Sequence, residues 1–104
     1  MEYKIYISLP ISGRNENKAR QLADLTKAAL SRMGWLPVSP FDIYAGRNPE
    51  YADYLRADLR ALADCDAIFL CKGWENSRGC RIEESFAKEM GKKVIYQHQS
   101  ENRK

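Results

Sequence analysis

The chain has 104 residues, of which 44% are hydrophobic and 30% charged, and its formal net charge is +3. This size and balance predict one globular domain over residues 1–104 with a single core. So small a net charge gives no reason to expect a nucleic-acid partner, and no apolar run approaches the roughly 20 residues of a membrane span.

The chain contains three cysteines, Cys65, Cys71 and Cys80. An odd number without a C-x-x-C pair argues against a disulfide framework and against a zinc site. Reduced thiols are typical of a cytoplasmic protein. We therefore expect a cytoplasmic protein that needs no metal and no other cofactor.

The first half of the chain predicts a strand, a helix and a second strand. Residues 4–8 are rich in β-branched and aromatic residues, which favours a strand. Apolar residues then recur at helical spacing over 15–33, and Gly34 is expected to end this helix in a left-handed conformation. Residues 35–39 predict a short strand, which Pro37 places at an edge of the sheet.

A second helix is predicted after a loop over 40–47. Asn48, Pro49 and Glu50 match an N-cap, a proline in the first helical position and an acid in the first turn. An apolar stripe then continues to about residue 63.

The last third predicts a buried strand, a helix and a final strand. Residues 67–71 are apolar without interruption, as in a parallel strand covered on both faces. A helix over about 80–90 follows, ended by Gly91, and residues 94–96 form the last strand.

The resulting order, βαβαβαβ, predicts an α/β fold with a small, doubly wound parallel sheet of the flavodoxin or Rossmann kind. The most favourable strand order is 2-1-3-4. Ligands of such sheets bind beyond the carboxyl ends of the strands where the order reverses, here between strands one and three. The loops after Ser8, Ser39 and Cys71 should therefore line the site.

Glu83 is the main candidate for chemistry. With Ala87 and Gly91 it shares one helix face, and these two small residues allow the helix to pack closely on the sheet. A carboxylate at the sheet crevice is a candidate nucleophile or general base. The alternative is that an acid in a first turn only complements the helix dipole, a role that fits Glu84 better. We expect the same dipole to keep Glu83 ionised at neutral pH.

Two loops could bind an anion. Ser12, Gly13 and Arg14 precede the first helix and could form an anion cradle, or an ordinary turn with a solvated arginine. Ser77 and Gly79 precede the third helix and could hold a phosphate or a sugar hydroxyl. Helix capping alone would also explain Ser77.

Asp58 borders the apolar stripe of the second helix, where a half-buried carboxylate needs a partner or a task. Its alternative is an ion pair with a cation such as Arg56 or Arg60. Two loop aromatics, Phe41 and Trp74, could stack on a base or merely cover the core.

Three of these segments together resemble the nucleoside 2-deoxyribosyltransferase superfamily. Residues 4–8 resemble its opening strand, and Asp58 to Leu62, followed by Cys65-Asp66, resembles its acid-bearing second helix. The stretch from Glu83 to Lys92 is similar to its nucleophile helix, E-x-x-x-A-x-x-x-G-K.

This resemblance implies an N-glycosidase or deoxyribosyltransferase that acts on a small-molecule nucleoside or its 5′-monophosphate. Glu83 would attack C1′, Asp58 would position or protonate the base, and Tyr6 would line the site. The expected substrate-binding residues are Tyr6, Ser12, Gly13, Arg14, Asp42, Ser77 and Gly79. The family forms dimers or larger assemblies, so a homo-oligomer is expected.

The chain departs from the transferases in two respects. It is shorter, and it has Asn76-Ser77 where transferases often place an aspartate, which is closer to the nucleotide N-hydrolase branch. It is most similar to a small, functionally undefined bacterial and phage subgroup. The alternative function is a nucleotide-binding module without turnover. A flavodoxin-like signalling domain is disfavoured, because Ser8 and Cys71 stand where a phospho-accepting aspartate would be.

Overall fold

The computed structural model describes residues 3–11 and 15–98, and within these ranges it contains four strands and three α-helices. The strands are β1 Tyr3–Ser8, β2 Trp35–Val38, β3 Ala67–Leu70 and β4 Lys93–Tyr96. The helices are α1 Glu16–Arg32, α2 Tyr51–Ala63 and α3 Arg78–Glu89, and short 3₁₀ turns lie at Pro40–Asp42 and Trp74–Asn76. None of the helices in the described ranges combines the length and the apolar character that a membrane crossing requires.

The strands form one parallel sheet in the order β2-β1-β3-β4, as predicted. Tyr6 of β1 lies opposite Val38 on one side and Ile68 on the other. β2 is an edge strand, which accommodates Pro37 because an edge residue need not donate to a neighbour. The carboxyl ends of β1 and β3 are adjacent, so the loops that follow them open at the same edge of the sheet.

Alternation along β1 divides the core between the two faces of the sheet. Ile5 and Ile7 pack in one cluster with buried residues of α1, including Ala19, Ala23 and Leu30. Tyr6 belongs to the opposite cluster, with Leu62 of α2, Ile68 and Leu70 of β3, and Cys80 and Ala87 of α3. The side chain of Tyr6, and with it that of Ser8 two residues further along β1, therefore points towards α2 and α3.

The start of α2 differs from the prediction. The helix begins at Tyr51, and the N–H of Glu50 donates to Oδ2 of Asp53 over 2.9 Å. Asn48 has a positive φ of 51°, which is unsuitable for an N-cap, because that position is normally extended. Pro49 consequently precedes the helix instead of opening it.

The start of α3 also moves, with a consequence for Glu83. Ser77 is the N-cap and accepts a 3.2 Å hydrogen bond from the N–H of Cys80. Because the helix begins at Arg78, two residues earlier than predicted, Glu83 lies in the second turn and no acid occupies the first. Gly91, at φ 72°, ends the helix as predicted.

Candidate active site

Glu83 is a buried carboxylate held by two hydroxyl groups of β1. Only 5% of the residue is exposed. The Ser8 hydroxyl donates to Oε1 over 2.6 Å and the Tyr6 hydroxyl donates to Oε2 over 2.9 Å. Tyr6 and Ser8 are two residues apart on one strand, so both side chains face α3. Each oxygen of the carboxylate thus has its own donor.

Asp58 of α2 brings a second carboxylate to the same hydroxyl. It interacts with Tyr6 and lies close enough to Glu83 for its negative charge to affect that residue. The alternative prediction, an ion pair with an arginine, is wrong among the described residues: Arg56 pairs with Asp53, and Asp58 is in no ion pair. Its hydrogen-bond partner is therefore Tyr6.

Burial raises the pKa of both carboxyl groups. The pKa of Glu83 rises to about 7, through burial and the nearby charge of Asp58, against the opposing hydrogen bonds from Ser8 and Tyr6. Burial likewise raises the pKa of Asp58 to about 6. The expectation that the helix dipole keeps Glu83 fully ionised is therefore wrong, because Glu83 is remote from the helix start and shielded from water.

The hydroxyl of Tyr6 forms hydrogen bonds with both acids. Burial and the charges of Glu83 and Asp58 raise its pKa well above 10, so the phenol stays protonated. It has a single proton, which it donates to Glu83. Its hydrogen bond with Asp58 lowers the pKa of that carboxyl group, so the one phenolic proton has two carboxylate acceptors. Near neutral pH the pair can hold one proton between two carboxyl groups.

A cavity of about 440 Å³ adjoins this group at the carboxyl edge of the sheet. Its lining includes Phe41, Tyr51, Tyr54, Asp58, Ser77 and Gly79. The volume lies within the usual range for small-molecule sites, and aromatic walls with a few polar groups are typical of them. Glu83 is not among the lining residues described and is linked to the wall through Tyr6 and Asp58.

Comparison with known proteins shows the family of the chain. The profile of a family described as a domain of unknown function (DUF4406) matches residues 3–96. The chain belongs to this family. No curated protein matches the sequence.

Among solved structures, this DUF4406 chain is similar to a 2-desoxiribosyltransferase from Leishmania mexicana, with a TM-score of 0.71 and 19% sequence identity. The match covers 90% of this chain and 63% of that chain, so the DUF4406 chain spans less than two thirds of the other protein. At this identity the likeness shows a shared fold, which agrees with the predicted α/β sheet.

The structure brings several of the predicted site residues together. Tyr6, Glu83 and Asp58 form the group described above. Ser77 and Gly79 line the adjoining cavity, and the Ser77 hydroxyl also caps α3. The position of Ser77 is therefore compatible with both predictions, that it caps α3 and that it contacts a ligand in the cavity.

Asp42 is not brought to the cavity. Its carboxylate accepts from the Ser39 N–H over 2.9 Å and from Lys27 over 2.9 and 3.0 Å. These contacts stabilise the turn that presents Phe41.

The predictions for the first loop concern residues outside the described ranges, namely Ser12, Gly13 and Arg14.

The two loop aromatics have different surroundings. Phe41 lines the cavity, with the Arg20 guanidinium 4.5 Å above the centre of its ring. Trp74 packs instead against Tyr96, with ring centroids 5.5 Å apart. Glu84 accepts from the hydroxyl of Tyr96 over 2.6 Å, so it points away from Glu83 as expected.

Sequence reasoning missed Ser8, Tyr51 and Tyr54. A serine at the end of the first strand, in phase with Tyr6, was a signal for Ser8. For the tyrosines the signal was the spacing 51, 54 and 58, which places them on the same helix face as Asp58. Within the described ranges, no three His, Cys, Asp or Glu side chains are grouped as metal ligands would be.

Proposed function

We propose that this DUF4406 protein cleaves or exchanges the N-glycosidic bond of a (deoxy)nucleoside or nucleoside 5′-monophosphate, with Glu83 as nucleophile. The observation that supports this most is the buried group Glu83–Tyr6–Asp58 beside an aromatic-lined cavity. The fold shared with a protein named as a 2-desoxiribosyltransferase adds support.

In the first step, one oxygen of ionised Glu83 attacks C1′ of the sugar. The bond between C1′ and the base nitrogen breaks, its electron pair goes to the base, and Asp58 supplies a proton to the departing base. The product is a glycosyl ester of Glu83 and a free base. In the second step, water or a second base attacks C1′ and displaces Glu83, while Asp58 takes up the proton.

The surroundings of the two acids suit these unequal roles. Glu83 receives two hydroxyl donors, which favour its ionised form, whereas the only described hydrogen-bond partner of Asp58 is the shared phenol. The proposed reaction uses the form in which Glu83 is ionised and Asp58 carries the proton; because the pKa of Glu83, about 7, lies above that of Asp58, about 6, this is the less populated of the two singly protonated forms. Pairs of carboxyl groups in different environments divide acid and nucleophile roles in the same way in glycosidases.

The cavity walls suit a nucleoside. Phe41, Tyr51 and Tyr54 offer aromatic surface for a base, since stacking on a ring does not depend on base identity. Ser77 and Gly79 at the start of α3 could contact a 5′-phosphate. Arg14 and its loop are included in this proposal as a further phosphate contact.

A nucleotide-binding module without turnover is the second candidate. It is favoured by the low exposure of Glu83 and by its position behind the cavity wall. A purely structural Glu83 would hold α3 against β1 without ever meeting C1′.

Incubation with a panel of nucleosides and 5′-monophosphates, with and without an acceptor base, separates these functions by chromatography. Free base without acceptor identifies a hydrolase, and a new nucleoside only with acceptor identifies a transferase. We expect Glu83→Gln to lose at least about 10³-fold in kcat, while Glu89→Gln, an exposed acid of the same helix, stays unchanged. Full activity of Glu83→Gln would refute its role, and binding without any product would favour the module.

The expected homo-oligomer is also a proposal. Tyr51 and Tyr54 are about half exposed at the cavity, at 46% and 52%, and a second copy could cover them. Analytical ultracentrifugation of the wild type and of Tyr54→Glu tests this, since a charge in such an interface should favour the monomer.

A further inference from the structure

We propose that Ser8 is a positioning residue that holds Glu83 in the orientation and charge state from which it reacts, an inference that rests on the proposed function. The distance between Ser8 Oγ and Glu83 Oε1 is 2.6 Å. This is the length expected of a hydroxyl bound to an ionised carboxylate, whereas the 2.9 Å bond from Tyr6 is of ordinary length. Ser8 thus makes the shorter contact to the nucleophile.

The backbone of Ser8 is fixed by the sheet. The residue pairs with Leu70 in the register of β1 and β3, and its carbonyl accepts a 3.0 Å hydrogen bond from the N–H of Cys71. Ser8 is also completely buried. Because neither the strand nor the side chain has room to move, the hydroxyl is a rigid donor that sets the plane of the carboxylate.

Donors on both oxygens determine which lone pairs of Glu83 stay available. Ser8 occupies Oε1 and Tyr6 occupies Oε2, so the carboxylate cannot rotate freely about its last bond. A fixed carboxylate approaches C1′ in one geometry, and such preorganisation reduces the entropy cost of the attack. Loss of Ser8 should therefore lower kcat more than it changes KM.

The charge of Glu83 depends on groups from each element around it. Asp58 of α2 opposes the ionised form, and Tyr6 of β1 favours it. On its own helix, Cys80 acts on Tyr6. The side chains that β3 contributes to this cluster, such as Ile68, are apolar, and on β4 the Tyr96 hydroxyl is bound to Glu84.

Ser8 differs from the titratable groups because it has no charge state of its own. Its hydroxyl favours ionised Glu83 over the whole working pH range. Together with Tyr6 it increases the fraction of molecules in which Glu83 is ionised, which is the form that the proposed reaction needs. Ser8 thereby acts through Glu83, without touching the substrate.

The test compares Ser8→Ala with Thr26→Val, which also removes a buried hydroxyl but from a 2.7 Å bond to Leu22 O within α1. The titration of Glu83 is followed by ¹³C NMR of glutamate-labelled protein, with the signal assigned from its absence in Glu83→Gln. We expect Ser8→Ala to raise the midpoint by about one pH unit, a tenfold change in the ionisation constant. We also expect kcat at pH 7 to fall about tenfold with KM within about twofold, and Thr26→Val to change neither.

A Glu83 midpoint that is unchanged or lowered in Ser8→Ala would overturn the proposal, as would an equal effect of Thr26→Val. If Ser8→Ala does not fold, Ser8→Cys serves instead, because a thiol is a weaker donor of similar shape and should give a smaller rise. The NMR titration requires no turnover. Absence of any product from the wild type would therefore refute the proposed function while the titration still decides whether Ser8 controls Glu83.

Discussion

Replacing Glu83 with glutamine should stabilise the folded protein at alkaline pH. The ordinary pKa of a glutamate is 4.5, and burial raises that of Glu83 to about 7. Since the folded pKa lies above the unfolded one, the contribution of this group to the free energy of unfolding is complete below about 4.5 and is lost as the pH rises through about 7. Ionised Glu83 is thus a cost that the folded protein carries at pH 8.

The size of this cost follows from the two pKa values. At about 1.36 kcal/mol for each pKa unit, the difference between 4.5 and about 7 corresponds to about 3 kcal/mol. A glutamine avoids it, since its amide is neutral at every pH and can still accept from Ser8 through its oxygen. At pH 8 we therefore expect Glu83→Gln to be more stable than the wild type by up to about 3 kcal/mol, and at pH 4.5 the two proteins should be similar.

Urea unfolding of both proteins at pH 4.5 and pH 8, followed by circular dichroism, measures this difference. Glu89→Gln is the matched control, since Glu89 is exposed on the same helix and should show little change at either pH. Equal or lower stability of Glu83→Gln at pH 8 would refute the reasoning, because it would mean that the hydroxyl donors outweigh the burial of the charge.

Three further predictions concern the two carboxyl groups and the proposed reaction. The dependence of kcat/KM on pH should be bell-shaped with limbs near 6 and 7, which belong to the Glu83–Asp58 pair as a whole; a rate that rises steadily to pH 9 would contradict a protonated acid. Asp58→Asn should lower the NMR titration midpoint of Glu83, because a neighbouring negative charge is removed. The same substitution should slow the cleavage of substrates with poor leaving-group bases by roughly 10²–10⁴-fold. Steady-state kinetics on nucleosides whose bases differ in acidity measure this effect. Equal slowing of all substrates would argue against Asp58 as the acid.

The fold could be predicted because its signals are local and strong. The alternation of strands and helices predicted a parallel sheet, and the unbroken apolar run at 67–71 predicted its buried third strand. Pro37 predicted that β2 lies at an edge of the sheet. The first residues of the helices were harder to predict from the sequence. Asn48-Pro49 has the composition of a helix start, but its left-handed Asn48 belongs to the preceding loop, and composition does not report backbone angles.

The sequence predicted Tyr6, Asp58 and Glu83 as site residues, and the structure places them in contact, but the sequence did not predict their protonation. Topology alone brings the end of β1 and the start of α3 to one edge, so a meeting of Tyr6 and Glu83 could be expected. The protonation behaviour could not, since it depends on burial, which arises only when α2, α3 and β1 pack together. Ser8 was not predicted as a site residue, because a serine at a strand end is common and because its distance to Glu83 depends on tertiary packing.

The raised pKa of Glu83 affects both the stability of the folded protein and the proposed reactivity of this carboxylate. A more basic carboxylate is a better nucleophile, but only its ionised fraction can attack, so a pKa close to the working pH is favourable. Burial provides the basicity at the expense of stability, and the Ser8 and Tyr6 hydroxyls limit the rise enough to keep a useful fraction ionised. A glutamine at position 83 would avoid the charge, but its amide has a single acceptor oxygen and could not accept from both Ser8 and Tyr6. A carboxylate accepts from both hydroxyls and can also attack C1′, which is why the proposed function assigns the role of nucleophile to Glu83.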